Sequence, residues 1–211
     1  MPDINFYYLE KATLSNLKRI FKSSDFPFVR LSKFLDIDSV DYNPKLEREE
    51  KIGYYHREKG SAVLEEFWKS SEFIKFLGRI TGLNPKFRSA NHLNYSPGDY
   101  SLLHMDESEP NRLSVVYDFT KSWRLEWGGY DLYTSPDKEP LICNRDFGSL
   151  MIVKLEKGDL SCTRYVSLKS KDSLMLKQEI IKKFNKKRDE RLTILGENQA
   201  KEIEKRIFLQ L

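Results

Sequence analysis

Apolar positions change their period along this chain, and the change separates a helical front from a β-rich remainder. Leu14, Leu17, Ile20 and Phe21 fall on one face of a helix over about residues 13–22. An extended stretch follows at 26–34, and then a polar, irregular segment over 36–59. Val63, Leu64, Phe67, Trp68, Phe73, Ile74 and Leu77 stripe a longer helix over about 61–80, with Gly82 placed to cap its C-terminus. From 86 to 168 the helical period gives way to short alternating runs divided by turn signals. Ser96-Pro97-Gly98-Asp99 and Ser135-Pro136-Asp137 read as turns. Leu113, Val115, Tyr117 and Phe119 alternate with Ser114, Val116 and Asp118, and further strands are predicted at 150–153 and 160–168. The pattern predicts a helix over about 172–188, a strand over 191–195 and a closing helix over 197–207. Helices first and many strands after them imply a mainly β jelly roll buttressed by N-terminal helices. We expect one domain over 1–211, with a β core over about 86–196 that the late helix interrupts.

Composition narrows the class. At 211 residues, 39% hydrophobic and 32% charged, the chain has the makings of one folded domain with a full core. The formal charge of +4 is a small surplus, so nucleic acid is not an expected partner. The basic run Lys182, Lys183, Lys186, Lys187 and Arg188 reads as a solvated face. Cys143 and Cys162 have neither zinc-site nor disulfide-framework spacing and read as buried thiols in a reducing compartment. No apolar run approaches the roughly 20 residues a membrane span needs, and Met1-Pro2-Asp3-Ile4-Asn5 lacks a signal-peptide pattern. The expectation is a cytoplasmic protein.

One stretch carries candidate chemistry: Tyr95-Ser96-Pro97-Gly98-Asp99-Tyr100-Ser101-Leu102-Leu103-His104-Met105-Asp106. Two residues apart at a strand end, His104 and Asp106 project to the same side. An imidazole beside a carboxylate is the sequence-local part of the facial triad that holds non-heme Fe(II). Alone, His-x-Asp recurs by chance in many proteins.

Its surroundings make it more specific. The tyrosine-turn-glycine strand before His104-x-Asp106 resembles Fe(II)- and 2-oxoglutarate-dependent oxygenases of the prolyl 4-hydroxylase-like group. So do the strand Arg112-Leu113-Ser114-Val115-Val116-Tyr117-Asp118, the turn ending in Trp123, and Glu126-Trp127-Gly128-Gly129-Tyr130-Asp131-Leu132-Tyr133. The resemblance spans roughly residues 26–197. It implies a double-stranded β-helix, cupin-like core, with His104 and Asp106 as metal ligands. It also implies 2-oxoglutarate held at its distal carboxylate by Arg191, with Thr193 and the Tyr95 hydroxyl in the same pocket. An arginine fork suits a carboxylate, and Thr193 shares a strand face with Arg191.

The pattern breaks at the family's second histidine. In Cys162-Thr163-Arg164-Tyr165-Val166-Ser167, Arg164 stands at its place, 27 positions before Arg191. Arginine offers only donors and stays charged, so it is no ligand. Three readings remain. Iron is held by His104, Asp106 and the oxoacid beside Arg164; or the metal is lost and Arg164 pairs with Asp106; or another residue rotates in. The only other histidines are His92, which alternation sets opposite Tyr95, and His56, placed to touch substrate at the pocket mouth. The resemblance implies a dioxygenase that oxidises, by default hydroxylates, a C–H bond of an amino acid, peptide residue or small metabolite. The alternative is a catalytically inactive binding protein on the same fold.

Overall fold

The computed structural model describes residues 2–36, 45–51, 55–105, 111–170 and 175–183. Three helices come from the front of the chain: α1 (Lys11–Ser23), α2 (Glu65–Lys69) and α3 (Ser71–Thr81). The long helix expected over 61–80 is broken at Ser70. Its backbone N–H bonds the Phe67 carbonyl to close α2, and its hydroxyl accepts from the Phe73 N–H at 3.2 Å to open α3. Gly82, at φ 72°, ends α3 in the left-handed conformation the sequence called for.

Strands β1 (Phe28–Leu31), β2 (Glu47–Lys51), β3 (Tyr55–Ser61), β4 (Lys86–Tyr95), β5 (Tyr100–Ser101), β6 (Arg112–Asp118), β7 (Asp131–Ser135), β8 (Lys138–Cys143), β9 (Leu150–Leu155), β10 (Leu160–Thr163) and β11 (Met175–Lys183) make two sheets. The larger runs β1-β9-β6-β11-β4-β3-β2, with β5 beside β3; the smaller runs β10-β7-β8. Among the described residues, every strand pairing within them is antiparallel. This is the mainly β jelly roll with buttressing helices that the period change predicts.

Alternation decides which face each residue serves. Leu113, Val115 and Tyr117 of β6 pack with Leu150 and Ile152 of β9 and Ile180 of β11 against Phe21, Trp68, Phe73, Phe76, Leu77 and Ile80 from the helices. The opposite face turns toward the small sheet. There Val116, Met151 and Val153 pack with Phe26, Tyr133 and Cys143. Both cysteines are buried free thiols.

Three expectations are corrected here. Within the segment 36–59 read as irregular, Glu47–Lys51 and Tyr55 onward form the paired edge strands β2 and β3. Their charged side chains are exposed or half-buried, so no apolar alternation marks them. The helix expected over 172–188 is absent over its described part. Met175–Lys183 is strand β11, seated between β4 and β6. Met, Lys, Gln and Glu favour helix only weakly. Two flanking ladders with unpaired backbone groups outweigh that preference. The strand expected over 160–168 stops at Thr163. The expected strand at 191–195 and helix at 197–207 lie outside the described residues. No helix among the described residues is long and apolar enough to cross a membrane.

Candidate functional site

The inward face of the large sheet becomes polar beyond its apolar patch, and a cavity of about 270 Å³ opens between the sheets. Ser89, Asn91 and Tyr95 of β4 line it, with Arg57 and Lys59 of β3, Arg112 of β6 and Lys177 of β11. From the other side come Asp131, Tyr133, Ser161 and Thr163, together with His104. The wall therefore carries four permanent cations, Arg57, Lys59, Arg112 and Lys177, against one carboxylate, Asp131.

One end of the cavity is closed by a buried ionic cluster. Asp131 opens β7 after Gly128 and Gly129, whose positive φ angles of 70° and 67° turn the chain into the strand. Thr163 is its cross-strand partner on β10, and the Thr163 hydroxyl donates to Asp131 Oδ1 at 2.9 Å. Lys177 reaches across from the large sheet. Its ammonium donates to Asp131 Oδ1 at 2.7 Å and to Thr163 Oγ1 at 2.9 Å, and lies 5.5 Å from the Tyr95 ring centre. Arg145 binds the other carboxylate oxygen, Oδ2, from behind and sits 3.7 Å from Asp118. Asp131, Lys177 and Arg145 are each less than a tenth exposed. Burial alone would raise the Asp131 pKa, but Arg145 and Lys177 outweigh it and hold the group at about 2.

His104 sits on the wall next to β10. Its backbone exchanges hydrogen bonds with Ser161 at 3.1 and 3.0 Å. Its Nδ1 lies 2.7 Å from the Leu102 carbonyl. A carbonyl only accepts, so Nδ1 carries a proton, and in the neutral ring Nε2 is the nitrogen left to accept or to ligate. That is the arrangement of a metal-binding imidazole.

A facial triad needs two imidazoles and a carboxylate, and the described residues do not meet that requirement. His92 is fully buried on the other face of β4, edge-on to Phe119, and burial lowers its pKa to about 4. His56 has Nδ1 2.7 Å from Asp99 and Nε2 2.7 Å from Glu50, so both ring nitrogens are engaged outside the cavity wall. Arg48 clamps the same Asp99 carboxylate at 2.6 and 2.8 Å. Cys162 packs its side chain with Leu103, Leu132 and Leu160. Among the described residues no three His, Cys, Asp or Glu side chains form a group that could hold a metal ion.

Of the residues singled out from sequence, His104 and Tyr95 line the cavity together, while Asp106, Arg191 and Thr193 lie outside the described residues. Arg164 is not among the residues lining the cavity; its backbone N–H continues the ladder to the Tyr130 carbonyl at 2.9 Å. Thr163, one position earlier, faces inward. Sequence reasoning missed Lys177, Asp131, Thr163, Arg145 and Arg112. Lys177 falls in the segment whose composition predicts a helix, and Asp131 follows the Gly128-Gly129 turn with no neighbouring residue in sequence to mark it as ionic. The available signal was spacing: Thr163 and Lys177 are 14 positions apart, a shorter connection between successive strands than the 27 positions from Arg164 to Arg191.

A jelly roll with a polar cavity between its sheets places the molecule in the double-stranded β-helix class. The family model described as oxoglutarate and iron-dependent oxygenase degradation C-term matches residues 31–190, and the chain belongs to that family. Among solved structures it is similar to a 2OG-Fe(II) oxygenase-family oxidoreductase from Burkholderia pseudomallei, at 10% identity and TM-score 0.64, covering 85% of this chain and 96% of that one. A Pseudomonas putida prolyl-4-hydroxylase matches at 13% identity and TM-score 0.59, covering 81% and 98%. A prolyl hydroxylase from Trichoplax adhaerens, solved with a hypoxia inducible factor peptide fragment, matches at 11% identity and TM-score 0.59, covering 82% and 93%. These likenesses establish the fold. No curated protein matches the chain.

Proposed function

We propose that this chain is a binding module on the oxygenase scaffold, taking a small organic anion into its cavity without metal-supported oxidation. The observation that carries this reading is Thr163. It faces inward on β10, one residue from where the resemblance sets the second histidine, and its hydroxyl is already bonded to Asp131 and Lys177. A neutral hydroxyl is a poor substitute for an imidazole. The cationic wall supplies the attraction for an anion. The two buried thiols agree with a reducing, cytoplasmic setting.

Iron titration with an oxoacid-turnover assay tests the proposal. Wild-type protein should bind Fe(II) weakly and convert no 2-oxoglutarate to succinate. Thr163→His should raise Fe(II) affinity by about tenfold or more, since it restores a second imidazole near His104. Tight stoichiometric iron and succinate formation by the wild type would sink the reading.

The competing reading is a working Fe(II)/2-oxoglutarate dioxygenase acting on an amino acid, peptide residue or small metabolite. The His104 ring favours it, with Nδ1 tied to the Leu102 carbonyl and Nε2 left over. In that case His104 and Asp106 hold iron with no second imidazole, and the same assay returns the opposite result.

A further inference from the structure

We infer that the groove between α1 and α3 docks an acidic amphipathic helix of a partner protein, a contact separate from the cavity between the sheets. α1 buries Leu17 and Phe21 in the core. Lys11, Leu14, Ser15 and Lys18 follow the i, i+3, i+4, i+7 spacing of a second face of the same helix. That stripe lines the groove together with Leu9 and with Arg79 of α3. Leu9 and Leu14 pack half-buried against the core and make the apolar floor. The apolar surface continues past the groove. Leu9 closes the 3-10 turn Phe6–Leu9, and residues three apart in such a turn eclipse one another. Phe6 therefore stands over Leu9. It is 75% exposed, the most exposed large apolar side chain among the described residues. A row of Phe6, Leu9 and Leu14 open to water marks a docking surface.

Charge identifies the occupant. Lys11 and Lys18, seven positions apart, are separated by about 10.5 Å along α1, and Arg79 joins them from α3. Among the described residues no acidic side chain lines the groove. A single phosphate or carboxylate reaches one of the two lysines at that spacing and leaves the other unanswered. A helix meets both, because its own residues at i and i+7 repeat the same rise. Glutamates at those positions face Lys11 and Lys18, while the apolar residues between them cover Leu14, Leu9 and Phe6. Ion pairs this exposed contribute orientation and rate of encounter more than affinity. Burial of the apolar row supplies the rest.

The test is fluorescence anisotropy of a labelled synthetic peptide titrated with the full chain. The peptide has about 18 residues, enough to form a helix in water, with leucines on one face and glutamates flanking them. It should bind saturably, and more weakly as salt is raised. A counterpart with lysine in place of every glutamate should not bind the wild-type chain. Lys11→Glu/Lys18→Glu should weaken the acidic peptide by about tenfold or more and should bind the lysine peptide instead. Phe6→Ser should weaken the acidic peptide by about fivefold or more. Arg124→Glu/Lys169→Glu makes the same change of charge at exposed residues outside the groove, and should bind within about twofold of wild type. No binding by the acidic peptide, equal binding of both peptides, or unchanged binding in the groove variants overturns the assignment. So does an equal loss in Arg124→Glu/Lys169→Glu. Two further outcomes also overturn it. Cosedimentation with phosphatidylcholine–phosphatidylserine vesicles that Lys11→Glu/Lys18→Glu abolishes, without peptide binding, gives the groove to a membrane surface. Self-association that Phe6→Ser abolishes gives it to a second copy of this chain.

Discussion

Replacing Asp131 by Asn keeps the shape and an acceptor oxygen but removes the one negative charge between Lys177 and Arg145. In the native protein that carboxylate takes a 2.7 Å bond from Lys177, a 2.9 Å bond from Thr163 and the Arg145 contact, all away from water. After the change Lys177 loses its bond to the carboxylate, and Arg145 keeps the Cys143 carbonyl at 3.3 Å and Asp118 at 3.7 Å. Breaking one side of a buried pair costs about 3–5 kcal/mol, because a buried charge is left uncompensated. That is a large share of the 5–15 kcal/mol that typically holds a domain together. Urea unfolding at pH 7 followed by tryptophan fluorescence should show the midpoint falling with little change in slope. The double variant Asp131→Asn/Lys177→Met should regain part of the loss, since it removes one of the stranded cations as well. A loss below about 1 kcal/mol for Asp131→Asn, or no recovery in the double variant, would refute the claim that this cluster is a tightly coupled ionic unit.

Acid should destabilise the protein in two windows. His92 has its pKa lowered by burial to about 4 from the usual 6.5, so its contribution is complete above pH 6.5 and is lost as pH falls toward 4. At about 1.4 kcal/mol per pH unit this is about 3 kcal/mol, and His92→Leu should flatten that limb of a stability-versus-pH curve. Asp131, lowered from 3.8 to about 2, contributes stability that is complete above pH 3.8 and disappears as pH drops through 2. Asp131→Asn should remove this lower limb. Gly128→Ala should cost about 2 kcal/mol, measured by thermal denaturation, for two reasons. Its φ is +70°, and an added Cβ would lie 2.2 Å from the Tyr165 carbonyl oxygen. An unchanged Tm would show that this turn yields freely.

The sequence by itself determined the class of fold. Alternation in Leu113 through Phe119 marked both faces of β6, and Leu17, Phe21, Phe73 and Leu77 marked the helix faces that cover it, because burial selects apolar residues at the period of each element. It also located His104 and Tyr95, which line one cavity. What it could not determine was β11. Met175–Lys183 has no strong period of its own and becomes a strand because β4 and β6 both offer it hydrogen bonds. Nor could it pair Lys177 with Asp131 across 46 positions, or set Thr163 rather than Arg164 toward the cavity. Those facts depend on which strands meet and in what register. A shift of one residue reverses every side chain in a strand, so only the assembled sheets decide which groups meet in the interior.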